Sequence, residues 1–228
     1  MNTLIFLRDA FAGRKLATAG FLWLCLIVVA AIIAPLVAPF DPLEIDPVGR
    51  LTEPGWPNLF GTDHFGRDTF SRAIYGARMT VIIGVGSVLV ALFCGGLIGM
   101  ISAYFTRLGH FLMRAVDVLM AFPALLMALV LITLLERSVV NTVLVIGIVY
   151  ATTTARILFG MTLKLKGETF IDAAVCSGAG NASILFRHIL PNLLSPLLVQ
   201  ASFIFSFSLL QAAALDFLGL VLPPAVPS

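Results

Sequence analysis

Met79–Phe105 reads MTVIIGVGSVLVALFCGGLIGMISAYF and contains no Asp, Glu, Lys or Arg. A helix needs about 20 apolar residues to cross the hydrocarbon core of a bilayer. This stretch is long enough, and its backbone polar groups would all be satisfied within the helix. Its small residues are not scattered. Gly84, Ser87, Ala91, Gly95, Gly99 and Ser102 follow one another at spacings of 3, 4, 4, 4 and 3, so they share one helix face. In lipid, helices associate through small residues that let backbones approach. The stripe predicts a packing face for another helix of the same chain, with a seam between subunits as the alternative.

Four further apolar stretches lie on either side: Leu16–Ala38, Phe111–Leu135, Val139–Phe159 and Leu193–Leu222. The whole chain is 60% hydrophobic and 11% charged. A soluble domain carries about 25% charged residues. The mean hydropathy of +1.06 agrees with the runs. The expected fold is an all-α polytopic membrane protein with about five transmembrane helices. The net charge of +2 gives no reason to expect nucleic-acid binding.

Orientation follows from the distribution of basic residues. With the N-terminus inside, the inner segments hold Arg8, Arg14, Lys15, Arg107, Arg114, Arg156, Lys164, Lys166 and Arg187. The outer segments hold Arg50, Arg67, Arg72, Arg78 and Arg137, together with most of the acids. The first apolar run is longer than the core of a signal peptide and reads as a retained helix. The expected organisation is a cytoplasmic N-terminus over 1–15, a first helix and external loop over 16–78, and a transmembrane domain over 79–228; the loop is rich in Pro, Gly and acid and is expected to turn helical near Thr69. A cytoplasmic segment at about 160–191 interrupts that domain.

Polar groups inside or beside the spans are few. Asp117 lies near the inner end of its helix with Arg114 one turn away, which predicts a local ion pair. Pro123 should bend that helix. Gln200 and Gln211 are about three turns apart on one face. Both remain open as path-lining groups or as donors between helices, as does Asp117. Asp216 reads as an interfacial acid. Cys25, Cys94 and Cys176 match no metal or disulfide spacing and are expected to be unpaired. His64, His110 and His188 fall on different predicted sides of the membrane. No P-loop, HExxH or GxSxG motif is present. No enzyme, cofactor or metal site is therefore expected.

One segment breaks the apolar pattern: DAAVCSGAGNASILFRHILPNLLSP, Asp172–Pro196. Its alanines favour helix. Gly178 and Gly180 predict a turn. Asn181 or Ser183 would cap a second short helix through Ile189. Pro191 would end that helix and start the next span. The product is a compact knob of small residues suited to docking on a cytoplasmic partner.

Asp172-Ala173-Ala174, Gly178 and Leu190-Pro191 resemble the EAA loop of bacterial ABC-importer permeases. FGTDHFGRDTFSRAIYGAR, DVLMAFPALLMAL, FRHILPN and LDFLGLVLPP are similar to blocks of the C-type permeases of dipeptide, oligopeptide and nickel importers. The blocks occur in order along the whole chain. The resemblance implies a multi-pass protein of the bacterial inner membrane, which pairs with a second, different permease chain. It further implies two ATPase subunits below and an external solute-binding protein above, with dipeptides or oligopeptides as solute. It assigns Asp172, Ala173, Ala174, Gly178, Leu190 and Pro191 to the ATPase contact. Gly61, Thr62, Asp63, Gly66, Arg67 and Asp68 match an external signature, for which a structural or partner-contact role is expected. Members of the family usually run on to a sixth helix beyond the Pro-Pro block, so a shortened chain with an external C-terminus is expected. A secondary transporter or channel, or a remnant permease that does not transport, is the alternative reading.

Overall fold

The computed structural model describes residues 15–221. Arg8, Arg14 and the rest of the expected cytoplasmic N-terminus up to residue 14 lie outside the described residues. So does the Pro223-Pro224 end of the last block.

The chain is helical, with elements α1 (Lys15–Val37), α2 (Thr69–Tyr104), α3 (Thr106–Met120), α4 (Ala124–Thr133), α5 (Val139–Lys166), α6 (Thr169–Cys176) and α7 (Asn181–Ser183). A π-helical turn, Ile184–Ile189, then leads into α8 (Leu190–Phe217). It falls into two compact units that divide at Val81 and Ile82.

In the first unit, most of α1 is uncovered. Trp23, Leu22, Ile32 and Leu36 are all more than half exposed, while Ala31 and Ala34 are buried. The loop that follows gives way to helix at Thr69, where the sequence places the change. The N-terminus of α2 is capped by Asp68, whose Oδ2 accepts from Ser71 N at 2.8 Å. An acid at this position satisfies a free amide and opposes the positive end of the helix dipole.

In the second unit, all six residues of the small stripe on α2 are buried. They pack within the chain. A Cβ on Gly99 would stand 2.5 Å from the Ala155 carbonyl oxygen, and one on Gly95 would strike the Ala151 carbonyl. The reverse contact is made by Gly147 of α5, where a Cβ would lie 2.5 Å from Val90 Cβ. Ser87 Oγ donates to Val143 O at 3.4 Å. The α2–α5 crossing is therefore a backbone-to-backbone contact, as small residues in lipid allow. Gly84 serves α8, since a Cβ there would meet the Phe205 ring at 2.6 Å.

Among the described residues, four helices are long and apolar enough to span a membrane: Thr18–Val37, Thr69–Tyr104, Val139–Lys166 and Asn181–Phe217. The third expected stretch, Phe111–Leu135, departs from a single span. It breaks into α3 and α4, which meet at 92°. Pro123 stands at the break with an extended backbone (ψ 131°) as the residue before α4. It has no N–H to continue the α3 ladder. The ten residues of α4 cover about 15 Å, half the hydrocarbon thickness, so α4 alone does not cross. The pair forms a broken span or a re-entrant loop.

A second departure is at Pro191. It does not end the preceding helix. The chain stays helical from Asn181 to Phe217. Proline removes a donor and crowds the carbonyl four residues back. The π turn widens the backbone just ahead of it, and Leu190 N reaches Leu185 O, a five-residue step. Asn192 Nδ2 then donates to His188 O at 2.6 Å. The segment absorbs the proline instead of stopping.

Candidate coupling loop and polar groups of the bundle

The segment between α5 and α8 is anchored from below its apolar side. Ile171 is buried with Met100, Leu158, Ile184, Leu185, Ile189 and Leu193 in one core cluster. Ala179 and Leu190 pack against that cluster. Asp172, Ala173, Gly178 and Pro191 are exposed, and Ala174 is half-buried. Of the residues expected to form the contact, Leu190 thus belongs to the support and Pro191 to the first turn of α8. Asp172, Ala173 and Gly178 form the presented face. Phe170, Val175 and Phe186 add exposed apolar surface (40, 54 and 55% exposed).

Gly178 fixes the shape of this face. It has φ +81°, a left-handed conformation that suits glycine. Its N–H donates to Val175 O at 2.9 Å, and Ala179 N donates to Ala174 O at 3.0 Å. These two bonds are the Schellman closure of a helix C-terminus. They end α6 and send the chain back toward α7. Neither Asn181 nor Ser183 caps α7. Gly180 occupies the capping position, and Asn181 is its first helical residue.

Asn181 has another task. Its Oδ1 accepts from Tyr104 Oη at 2.8 Å. Lys166 Nζ donates to Tyr104 O at 2.9 Å and lies 5.3 Å from the Tyr104 ring centre. The end of α2 is therefore tied to the end of α5 and to the start of α7. Sequence reasoning missed Tyr104 and Lys166. Each looks ordinary at a membrane boundary, and they are 62 residues apart.

Among the bundle's polar groups, Asp117 pairs with Arg156 of α5 at 2.8 Å. This corrects the expected local pair with Arg114. On a helix an acid placed C-terminal to the base is the weaker order, and the α3–α5 packing offers a closer guanidinium. Gln211 is buried (5% exposed), and its Nε2 donates to Ala124 O at 3.1 Å. It joins α8 to the first residue of α4, just past the break. Gln200 does not share that bond. It lines an open groove of about 400 Å³ with Ala124, Tyr150, Thr153 and Phe203.

The signature segment around Asp63 folds into a small knot. Asp63 Oδ1 accepts from Phe65 N at 2.8 Å and Arg67 N at 3.0 Å. Its Oδ2 meets Arg67 Nε at 2.8 Å and Arg72 Nη1 at 3.6 Å. Thr62 Oγ1 donates to the Gly49 carbonyl and accepts from Thr52 N at 2.8 Å. Gly66, at φ +79°, sits so close to Asp46 that a Cβ would collide with its carbonyl oxygen. Gly61, with a positive φ of its own, accepts at its carbonyl from Thr69 N at 3.1 Å. Arg67 and Asp68 complete the set, the first as the partner of Asp63 and the second as the cap of α2.

Burial pushes the Asp63 carboxyl up, but the hydrogen bonds from Arg67 and Phe65 outweigh it and leave the pKa below the ordinary value. A lowered folded pKa stabilises the fold fully above the ordinary carboxylate pKa of about 4 and loses that contribution as pH falls through the folded value. Trp56 fluorescence, followed from pH 6 to 2, should show the loop opening on this acid limb. In Asp63→Asn the limb should flatten, and the loop should already be loosened at pH 6.

Residues 95–228 match the family model described as "binding-protein-dependent transport system inner membrane component". Residues 6–54 match the one described as "N-terminal TM domain of oligopeptide transport permease C". The chain is 39% identical to the di/tripeptide transport system permease protein DppC of Pseudomonas aeruginosa, over 96% of this chain and 75% of that one. It is 39% identical to the dipeptide transport system permease protein DppC of Alkalihalophilus pseudofirmus, over 93% and 71%. It is 35% identical to the glutathione transport system permease protein GsiD of Pectobacterium atrosepticum, over 95% and 73%.

Proposed function

The chain belongs to the family of binding-protein-dependent transport system inner membrane components, and from that premise we propose that it couples peptide import to ATPase subunits through the α6 segment. It is a multi-pass membrane subunit of a peptide ABC importer. Permeases of this kind are not themselves catalytic. ATP would be hydrolysed by two separate subunits docked on Asp172, Ala173, Ala174 and Gly178. A second permease chain would complete the path, and an external binding protein would deliver a di- or oligopeptide. The N-terminus would be cytoplasmic, the 38–68 loop external, and the 160–191 segment cytoplasmic, in keeping with the excess of basic residues on the inner side.

The observation that carries the docking reading is the combination of a buried anchor and an exposed face on one short helix. Ile171 and Leu190 hold α6 and the π turn on the core, while Asp172, Ala173 and Gly178 face outward. Force on α6 would then reach the π turn and α8 through the core cluster that Ile171 shares with Ile184, Leu185, Ile189 and Leu193. From α8 it would reach α4 through Gln211 and the Ala124 carbonyl. Such a rigid lever is what alternating access needs. The glycine knot at Asp63 would hold the outer loop in shape and start α2.

The energy source tests the reading. Cells producing the chain with its partner permease, ATPases and binding protein should take up labelled dialanine while ATP is maintained, even when an uncoupler collapses the proton gradient. Uptake that disappears with the gradient while ATP persists would instead assign a secondary transporter.

A further inference from the structure

We propose that the loop between α1 and α2 contains a binding site for one organic cation, an ammonium or a guanidinium group. The loop encloses an open cavity of about 410 Å³ lined by Asp41, Glu44, Asp46, Glu53 and Asp68, with Trp56 at its side. No Lys, Arg or His is among its lining residues. Of the nearby arginines, Arg67 pairs with Asp63 at 2.8 Å, and Arg72 stands 3.6 Å from the same carboxylate with its Nη1 buried and without a hydrogen-bond partner. Five acidic residues thus line one space, and no Lys, Arg or His lines it with them. Such a cleft concentrates positive ligands.

Asp68 supplies the second, independent observation. It is 4% exposed, and one oxygen is used to cap α2. The other, Oδ1, is buried without a hydrogen-bond partner. A buried carboxylate oxygen left unpaired is costly unless a donor reaches it. Asp41 and Asp46 also spend one oxygen each locally, on Leu43 N and Val48 N, which leaves Oδ2 of each for a ligand.

The spacing of the acids selects the kind of cation. Among the described residues, no three His, Cys, Asp or Glu side chains stand close enough to hold a metal ion. An ammonium with three N–H groups, or a planar guanidinium with five, bridges more widely spaced carboxylates. Trp56 is 91% exposed and offers the aromatic face that such cations favour.

This chemistry has two sources on the outer side, the amino terminus of a free peptide and a Lys or Arg side chain of a docked protein. The peptide source rests on the function proposed above, whereas the cation site does not.

Trp56 reports directly on the cavity. The full chain, with Trp23→Phe to leave one tryptophan, would be placed in neutral phosphatidylcholine nanodiscs and titrated with butylammonium and methylguanidinium. Parallel titrations would use alanyl-alanine, N-acetyl-alanyl-alanine and calcium. A saturable change in Trp56 fluorescence is expected with the organic cations and not with the acetylated peptide. Asp68→Asn keeps a good helix cap but removes the charge, and should weaken binding about fivefold or more. Glu44→Gln with Glu53→Gln should do the same without touching the cap. Alanyl-alanine binding about fivefold tighter than butylammonium would support the site with a peptide terminus as source. Binding no tighter would support it with a side chain of a docked protein as source. The site is overturned if no organic cation gives a saturable response, if the acetylated peptide gives an equal one, if calcium alone saturates, or if the charge-removing variants bind unchanged. Because no transport step enters the assay, failure here is separate from failure of uptake.

Discussion

Gly95→Leu should prevent the bundle from forming, and the chain should be recovered from membranes mostly as degraded or aggregated material. A side chain at Gly95 would press on the Ala151 carbonyl, and one at Gly99 would lie 2.5 Å from the Ala155 carbonyl. Both obstacles are backbone atoms, which cannot rotate aside. The only relief is to separate α2 from α5. That separation also removes the seating of Gly147 on Val90 and the Ser87 bond to Val143 O. The cost should reach or pass the roughly 1–3 kcal/mol usual for overpacking. In lipid no hydrophobic force holds the helices together in its place. Gly160→Leu is the matched control, because a Cβ there meets nothing within 4 Å. Unfolding in graded denaturing detergent should show a large loss for Gly95→Leu and little for Gly160→Leu. Equal stability of the two would remove the backbone contact as the basis of the fold.

The same crossing shows why much of the fold was legible. In a stretch without charges, the spacing of small residues is the strongest pattern left, and all six positions of the stripe are buried as read. The start of α2 at Thr69 was legible because the Pro, Gly and acid content stops there. What could not be read is geometry set by distant partners. Pro123 announces a bend, but the 92° turn also depends on where α4 comes to rest, and Gln211 holds Ala124 from 87 residues away. Pro191 reads as a stop in any local scheme. Only the wider turn at Ile184–Ile189 lets the helix run through it.

The polar sites divide the same way. Local rules favour Arg114 for Asp117, whereas Arg156 is distant in sequence and arrives only through packing. Asp68 shows the reverse. An acid directly before the first helical residue is a recognisable cap signal, yet within a family signature it was read with its neighbours instead of alone. Gly178 was legible as a turn because glycine there costs least. Its two closing bonds follow from where α6 stops.

Those bonds set up the second large effect. Gly178→Asp should abolish capture of the ATPase subunits and reduce uptake about tenfold or more, while the chain still folds. Nothing lies within 4 Å of a Cβ at Gly178, so no clash is created. The left-handed backbone at φ +81° penalises a side chain by about 1–2 kcal/mol. That penalty is small beside the support that Ile171 gives through the core cluster. The larger consequence is a new negative charge on the exposed face, next to Ala173 and Ala174, where a partner would have to desolvate it. Loss of about 1.4 kcal/mol of binding lowers affinity tenfold, and an unpaired buried charge exceeds that. Gly178→Asn separates strain from charge, since Asn tolerates the same backbone. Co-purification of the ATPases should be lost with Asp and largely kept with Asn. If both variants capture the ATPases as the parent chain does, the partner contacts some other face. If both fail alike, the shape of the turn, and not its charge, governs docking, and Gly178 acts by aiming α6.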